Sequence, residues 1–193
     1  MNPIPVIPRH LALDKLLEKK SYFLLGPRQT GKSFLIGQSL KGARVYDLLD
    51  NSMYLALSHR PQRLAEEITP KDRVVVIDEI QRLPALLNEV HRLIEQRGIH
   101  FLLTGSSARK LRHGGVNLLG GRARTKYLHP LTYRELGEHF NLDTFISHGG
   151  LPSIYFSDDT RADLGDYAGS YLKQEIIAEK ATRNITAFSQ YIK

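Results

Sequence analysis

The sequence predicts an α/β fold, a three-layer αβα core around a parallel sheet. Three observations point to it. Four consecutive β-branched residues at 74–77 (VVVI) read as a strand covered on both faces, as in the centre of a parallel sheet. Short apolar runs alternate with stretches of helical periodicity, the order expected of right-handed βαβ units. A glycine-rich segment, residues 26–33, falls directly between one such strand and one such helix.

Each element follows in order. Residues 10–19 (HLALDKLLEK) repeat leucine at helical spacing, and 21–26 (SYFLLG) form a short buried strand that ends in glycine. After Lys32 a helix runs through SFLIGQSL, and ARVYDLL (43–49) is the second strand. Asp50 to about Glu67 gives one or two helices interrupted at Pro61. VVVI is the third strand. Pro84 sits where a helix can begin, and Leu86, Leu87, Val90, Leu93 and Ile94 give that helix one apolar stripe. HFLLTG (100–105) is the fourth strand and RTKYLH (124–129) the fifth. From about Pro130 the pattern turns helical, with GGLP at 149–152 as the main break and 160–191 largely helix. The expected organisation is a core over residues 1–138 and a partial helical lid subdomain over 139–193. A C-terminal helical extension packed on the sheet is the alternative.

Composition excludes several classes of function. Of the 193 residues, 41% are hydrophobic and 24% charged, close to soluble globular averages, so a folded core is expected rather than disorder. The absence of cysteine excludes a disulfide framework, cysteine zinc sites and a thiol nucleophile. The eight histidines lack metal-ligand spacing, and no G-x-S-x-G elbow is present. No stretch approaches the roughly 18 apolar residues of a membrane span, and the start, MNPIPVIPRH, lacks the pattern of a secretory signal. A soluble, cytoplasmic protein with no membrane partner is expected. The net charge is +7, and between Gly105 and Lys126 six basic residues (Arg109, Lys110, Arg112, Arg122, Arg124, Lys126) stand without an acidic one. Such a patch attracts nucleotide or nucleic acid; a solvated basic face explains the charge equally well.

The chemistry is concentrated in three places. Gly26, Pro27, Arg28, Gln29, Thr30, Gly31, Lys32 and Ser33 fit G-x-x-x-x-G-K-[ST] in the strand-to-helix context the motif needs. Glycines let backbone N–H groups curl around phosphate oxygens, the helix N-terminus adds positive dipole, Lys32 reaches the outer phosphates, and the Ser33 hydroxyl is a Mg²⁺ ligand. Asp78 and Glu79 follow the strand VVVI, at the sheet edge where α/β proteins bind ligands. Asp78 can share Mg²⁺ with Ser33, and Glu79 can accept a proton from a water attacking the γ-phosphate. The GTPase signatures D-x-x-G and N-K-x-D are absent. At the end of the fourth strand, Thr104 and Ser106 are hydroxyls that can sense the γ-phosphate, while Ser and Gly there also suit a plain turn. Arg109, Arg122 and Arg124 are cations that could neutralise transition-state charge, in cis or towards a neighbouring subunit.

GPRQTGKS, VVVIDEIQRLP, FLLTGSS, GRARTKYLHPLTYREL and GGLPSIY, in this order, resemble the ATPases of the bacterial and archaeal AAA_14 type that carry a DUF4143 C-terminal region. The resemblance covers most of residues 5–190. It implies a P-loop NTPase core of AAA type with strand order 5-1-4-3-2, ATP as ligand and Mg²⁺ as cofactor. It also implies kinship with signal-transducing ATPases in which a G-x-P motif lies near the adenine; Gly150-Leu151-Pro152 fits that motif, which makes Pro152 a nucleotide-site candidate. Such proteins continue into a further domain, whereas this chain ends at Lys193, so the family's C-terminal region is expected to be missing.

Two functions compete at this point. One is Mg-dependent ATP hydrolysis coupled to conformational change or partner remodelling, with Glu79 as base, Thr104 and Arg122 assisting, and a second subunit or other protein as partner. The other is an ATP-bound switch or scaffold that scarcely hydrolyses, associated with nucleic acid or not.

Overall fold

Strand β1 (Ser21–Leu25) is buried at all five positions, because it lies between two neighbours and beneath two layers of helix. In the computed structural model, which describes residues 5–106, 111 and 119–171, it pairs in parallel with β4 (His100–Gly105) on one side and β5 (Ala123–Tyr127) on the other. β3 (Val74–Asp78) joins β4 to the edge strand β2 (Arg44–Asp47), again in parallel. The order is β2-β3-β4-β1-β5, the expected 5-1-4-3-2 read from the other edge.

Alternation along β1 builds the three layers. Phe23 and Leu25 face one side, with Val75, Ile77, Phe101 and Leu103, and are covered by α3 (Asn51–His59), α4 (Arg63–Glu67) and α5 (Leu86–Arg97). Tyr22 and Leu24 face the other side with Val76 and Leu102, under α1 (Leu13–Leu17) and α2 (Lys32–Ser39). Helix α5 buries Leu86, Leu87, Val90 and Leu93, on the order of 6–12 kcal/mol of apolar transfer. That exceeds what a helix of this length lacks in isolation. It stops at Gly98, left-handed at φ 63° and donating to the Ile94 carbonyl. The stretch 50–67 forms two helices parted near Pro61, the first capped by Asp50, whose carboxylate accepts the N–H groups of Ser52 and Met53. Helix α1 is shorter than the leucine pattern over 10–19 suggests, since only Leu13 and Leu17, one turn apart, are buried.

The residues divide into two compact units, with 9–129 in one and, among those described, 5–8 and 130–171 in the other. The second unit has its own small core of Ile7, Leu131, Leu136 and Tyr155, with Phe140, Phe145 and Phe156 against it. Its helices are Tyr133–Leu136, closed by a capping box between Thr132 and Glu135, Leu142–His148, Pro152–Tyr155 and Thr160–Tyr171. The Tyr155 hydroxyl accepts the Asn141 N–H at 2.8 Å and donates to the His139 carbonyl at 2.7 Å. The helical stretch expected beyond residue 171 lies outside the described residues, as do Ser107, Arg109, Lys110 and Arg112.

The register decides where chemistry can sit. Leu25 is level with Gly105 and Tyr127, Ile77 with Leu103, and Asp47 with Asp78. The carboxyl ends of β1, β3 and β4 therefore share one edge.

Candidate functional site

At that edge the chain turns from β1 into α2 through residues 26–31. Gly26 donates to the Gly105 carbonyl at 3.3 Å, and a Cβ on it would lie 2.1 Å from the Leu128 carbonyl oxygen. Only glycine fits there, because the atoms a Cβ would meet all belong to the Leu128 backbone. Gly26→Ala is therefore expected to destabilise the fold by about 1–3 kcal/mol or more, read as a lowered denaturation midpoint. Gln29 and Gly31 take left-handed conformations, at φ 61° and 86°, the kind of turn that directs successive N–H groups into an anion-binding concavity. Thr30, buried between them, closes the loop from its hydroxyl to the Pro27 carbonyl at 3.0 Å. Gly31 then starts α2, its carbonyl accepting the Leu35 N–H.

Lys32 is 7% exposed. Its ammonium donates to the carbonyls of Gly26 and Pro27, both at 2.8 Å, so the lysine spans the loop from beneath. Arg28, Gln29, Gly31, Lys32, Ser33 and Glu79 line a cavity of about 290 Å³ together with Phe34 and Leu49. A larger groove of about 1470 Å³ lies at the opposite edge, around the beginnings of β2, β3 and β4, and contains none of the motif residues.

The acidic strand end meets this cavity. The Ser33 hydroxyl donates to Asp78 Oδ2 at 2.9 Å. Oxygens at adjacent octahedral positions around Mg²⁺, each about 2.0–2.1 Å from the ion, are themselves about 2.9 Å apart. The pair thus has the separation and the donor types, one hydroxyl and one carboxylate, that such an ion shares with phosphate oxygens. No cluster of three or more carboxylate or histidine ligands occurs among the described residues.

Thr104, fully buried, donates from its hydroxyl to Asp78 Oδ1 and accepts the Glu79 N–H at 3.1 Å. Its single proton is committed to Asp78, so it fixes the acidic turn instead of presenting a free donor to a phosphate. Glu79 takes φ 58° and ψ 43°, unusual for a residue with a side chain, and its carboxylate accepts from the Gln81 amide.

Arg122 is not brought to this cavity. It precedes β5 at the amino edge of the sheet, about 16 Å of strand from the loop, and pairs with Glu95, whose carboxyl it holds below the usual range. Arg122→Ala is accordingly expected to leave ATP affinity within about twofold, measured by calorimetry. Arg124 and Lys126 are exposed on β5. Pro152 begins a short helix in the second unit, and Gly150 beside it is needed because a Cβ there would lie 2.3 Å from the Leu131 carbonyl oxygen. Both residues thus have a structural reason to be where they are.

Two contacts escape sequence reasoning. Arg9 donates to the Thr30 carbonyl at 2.7 Å and to the His129 carbonyl at 2.6 Å; Gln81 touches Glu79. Neither belongs to a spaced motif, although D-E-x-Q after a buried strand is a local pattern that could have flagged the second.

Residues 18–137, more than half of the chain, match the AAA_14 family, described as an AAA domain. The chain belongs to this AAA family. The uncharacterized protein MJ1544 of Methanocaldococcus jannaschii is 25% identical over 93% of this chain and 47% of its own length. The AAA_14 chain therefore spans about half of the curated relative it matches. Among solved structures it is similar to the Walker-type ATPase PABY2304 of Pyrococcus abyssi (16% identity, 84% of this chain and 69% of that one, TM-score 0.47). It is also similar to the replication initiator DnaA bound to AMPPCP and single-stranded DNA (17%, 85% and 60%, TM-score 0.48). A third is the ORC1 protein of Aeropyrum pernix in complex with DNA (17%, 93% and 66%, TM-score 0.43). Likeness at this level concerns the fold alone.

Proposed function

We propose that this AAA_14 chain binds ATP with Mg²⁺ and hydrolyses it, coupling turnover to conformational change or to the remodelling of a partner. The lining of one cavity by Lys32, Ser33 and Glu79, with Asp78 hydrogen-bonded to Ser33, carries the reading. On nucleotide binding Lys32 exchanges its loop carbonyls for the outer phosphates, and the loop N–H groups with the α2 N-terminus take the remaining charge. Ser33 and Asp78 would hold a Mg²⁺ ion, which would supply positive charge to the phosphate oxygens. Glu79 accepts the proton of the attacking water as its oxygen bonds to the γ-phosphorus and the bond to ADP breaks. Thr104 keeps Asp78 and the Glu79 backbone in place. Arg28 and Gln29 line the same cavity.

The exposed cations Arg124 and Lys126 suit a phosphate-bearing or acidic partner, either a second subunit, another protein or nucleic acid. No helix among the described residues is long and apolar enough to cross a membrane, and a cytoplasmic setting, where ATP is plentiful, fits the ligand. A slow, ATP-occupied switch is the second reading, favoured by the engagement of Arg122 with Glu95 away from the phosphates. Phosphate release by the purified chain at saturating ATP decides between them. Release with Mg²⁺ and none with chelator is expected, tight binding without release selects the switch, and absence of both overturns the proposal.

A further inference from the structure

The Glu79 turn is determined from several sides. Asp78 is the last residue of β3, Glu79 is left-handed, and Ile80–Arg82 form a single 3-10 turn closed from the Arg82 N–H to the Glu79 carbonyl at 2.9 Å. Ile80 is fully buried in the larger core cluster, and the Arg82 guanidinium lies 5.1 Å over the Tyr54 ring on α3. With its neighbours on both sides anchored, Gln81 returns towards the carboxylate of the residue two before it. Its Nε2 donates to Glu79 Oε2 and lies 3.5 Å from the Ser106 hydroxyl. Its Oε1 is buried and has no hydrogen-bond partner among the described residues, a costly arrangement unless the amide is held there for another reason. Gly105 makes the room, since a Cβ on it would lie 2.5 Å from that oxygen.

A glutamate carboxylate on a flexible side chain has several orientations, and a base must be held at hydrogen-bond reach of the proton it takes. Sparsely populated backbone such as that of Glu79 persists only where its surroundings over-determine it, and clusters at active sites. Thr104 fixes the Glu79 backbone, and the Gln81 amide donates to its carboxylate. We infer that Gln81 is a positioning residue for Glu79, its amide seated in the space left by Gly105 and aiming the carboxylate at the γ-phosphate end of the cavity. The inference rests on the reading of Glu79 as base.

The test uses the full chain, Gln81→Ala, Gly105→Ala and the double variant, with phosphate release, ATP affinity and melting temperature measured for each. Gln81→Ala is expected to lower kcat about tenfold or more, the scale on which misplacement of a catalytic group acts, with ATP affinity and melting temperature unchanged. Gly105→Ala should push the same amide aside and lower kcat to a similar degree. The double variant should be no slower than the worse single one, as for two changes acting through one contact. Unchanged turnover in Gln81→Ala, a rise in turnover, or additive losses overturns the inference. Two-dimensional ¹H–¹⁵N spectra check the contact without turnover: the Gln81 side-chain amide signals, identified by their loss in Gln81→Ala, should move upfield in Glu79→Gln. Signals that stay put remove the contact and the inference with it. Signals that move in a wild-type chain releasing no more phosphate than Glu79→Gln leave the contact standing, and dismiss both the hydrolytic reading and the role built on it.

Discussion

Glu79→Gln is expected to retain ATP binding and to lose about 10²-fold or more of phosphate release, since a positioned general base contributes roughly 10²–10⁴-fold. The substitution keeps the length of the side chain and removes its capacity to take a proton. It leaves Ser33, Asp78 and Lys32 untouched, because the Glu79 contacts run to Thr104 through the backbone N–H and to Gln81 through the carboxylate. Calorimetry beside a phosphate-release assay separates the two effects. Equal turnover in both proteins would remove Glu79 from its role, and a parallel loss of affinity would show that it holds the nucleotide instead of the water.

Lys32→Ala is expected to weaken ATP binding by about 10–100-fold. A hydrogen bond to a charged group contributes on the order of 1.5–3 kcal/mol, and each 1.4 kcal/mol is about tenfold in affinity. Two losses coincide here. In the complex the outer phosphates lose their cation, which lowers affinity, and in the free protein the Gly26 and Pro27 carbonyls lose the ammonium that spans them at 2.8 Å, which lowers stability. Lys32→Met, which preserves the aliphatic stem but not the donors, should match Lys32→Ala in affinity and exceed it in melting temperature. Calorimetric titration of the three proteins with ATP and Mg²⁺ checks this, and equal affinity throughout would exclude the loop as the phosphate site.

Much of the sheet is legible in the sequence because its central strands are covered on both faces. Ser21–Leu25, Val74–Asp78 and His100–Gly105 are nearly continuous apolar runs, and nothing else in a soluble chain is so uniformly buried over so short a length. Strand β5 carries no such signal. Four of its five residues are exposed, and it is found from its position in the βα sequence and from the resemblance, which also supplied the strand order. At the site, Lys32, Ser33, Asp78 and Glu79 stand at fixed offsets from a strand end, so their convergence follows from connectivity. The commitment of the Thr104 proton to Asp78, the pairing of Arg122 with Glu95 across 27 residues, and the grasp of Glu79 by Gln81 depend on rotamers and on long-range packing. Sequence periodicity does not encode those.

Arg9 has a mechanical consequence. The larger unit runs from Arg9 to His129, so the chain comes into it at the residue that carries the guanidinium and goes out at the residue whose carbonyl that guanidinium holds. The other arm of the same rigid, planar group holds Thr30 in the middle of the loop. Inlet, outlet and loop are thus riveted to one plate about the size of a peptide group. A shift of the Thr30 carbonyl must either break its bond to the plate or move Arg9 and His129 with it. Lysine, with a single point charge and no fork, would leave one of the three unfastened.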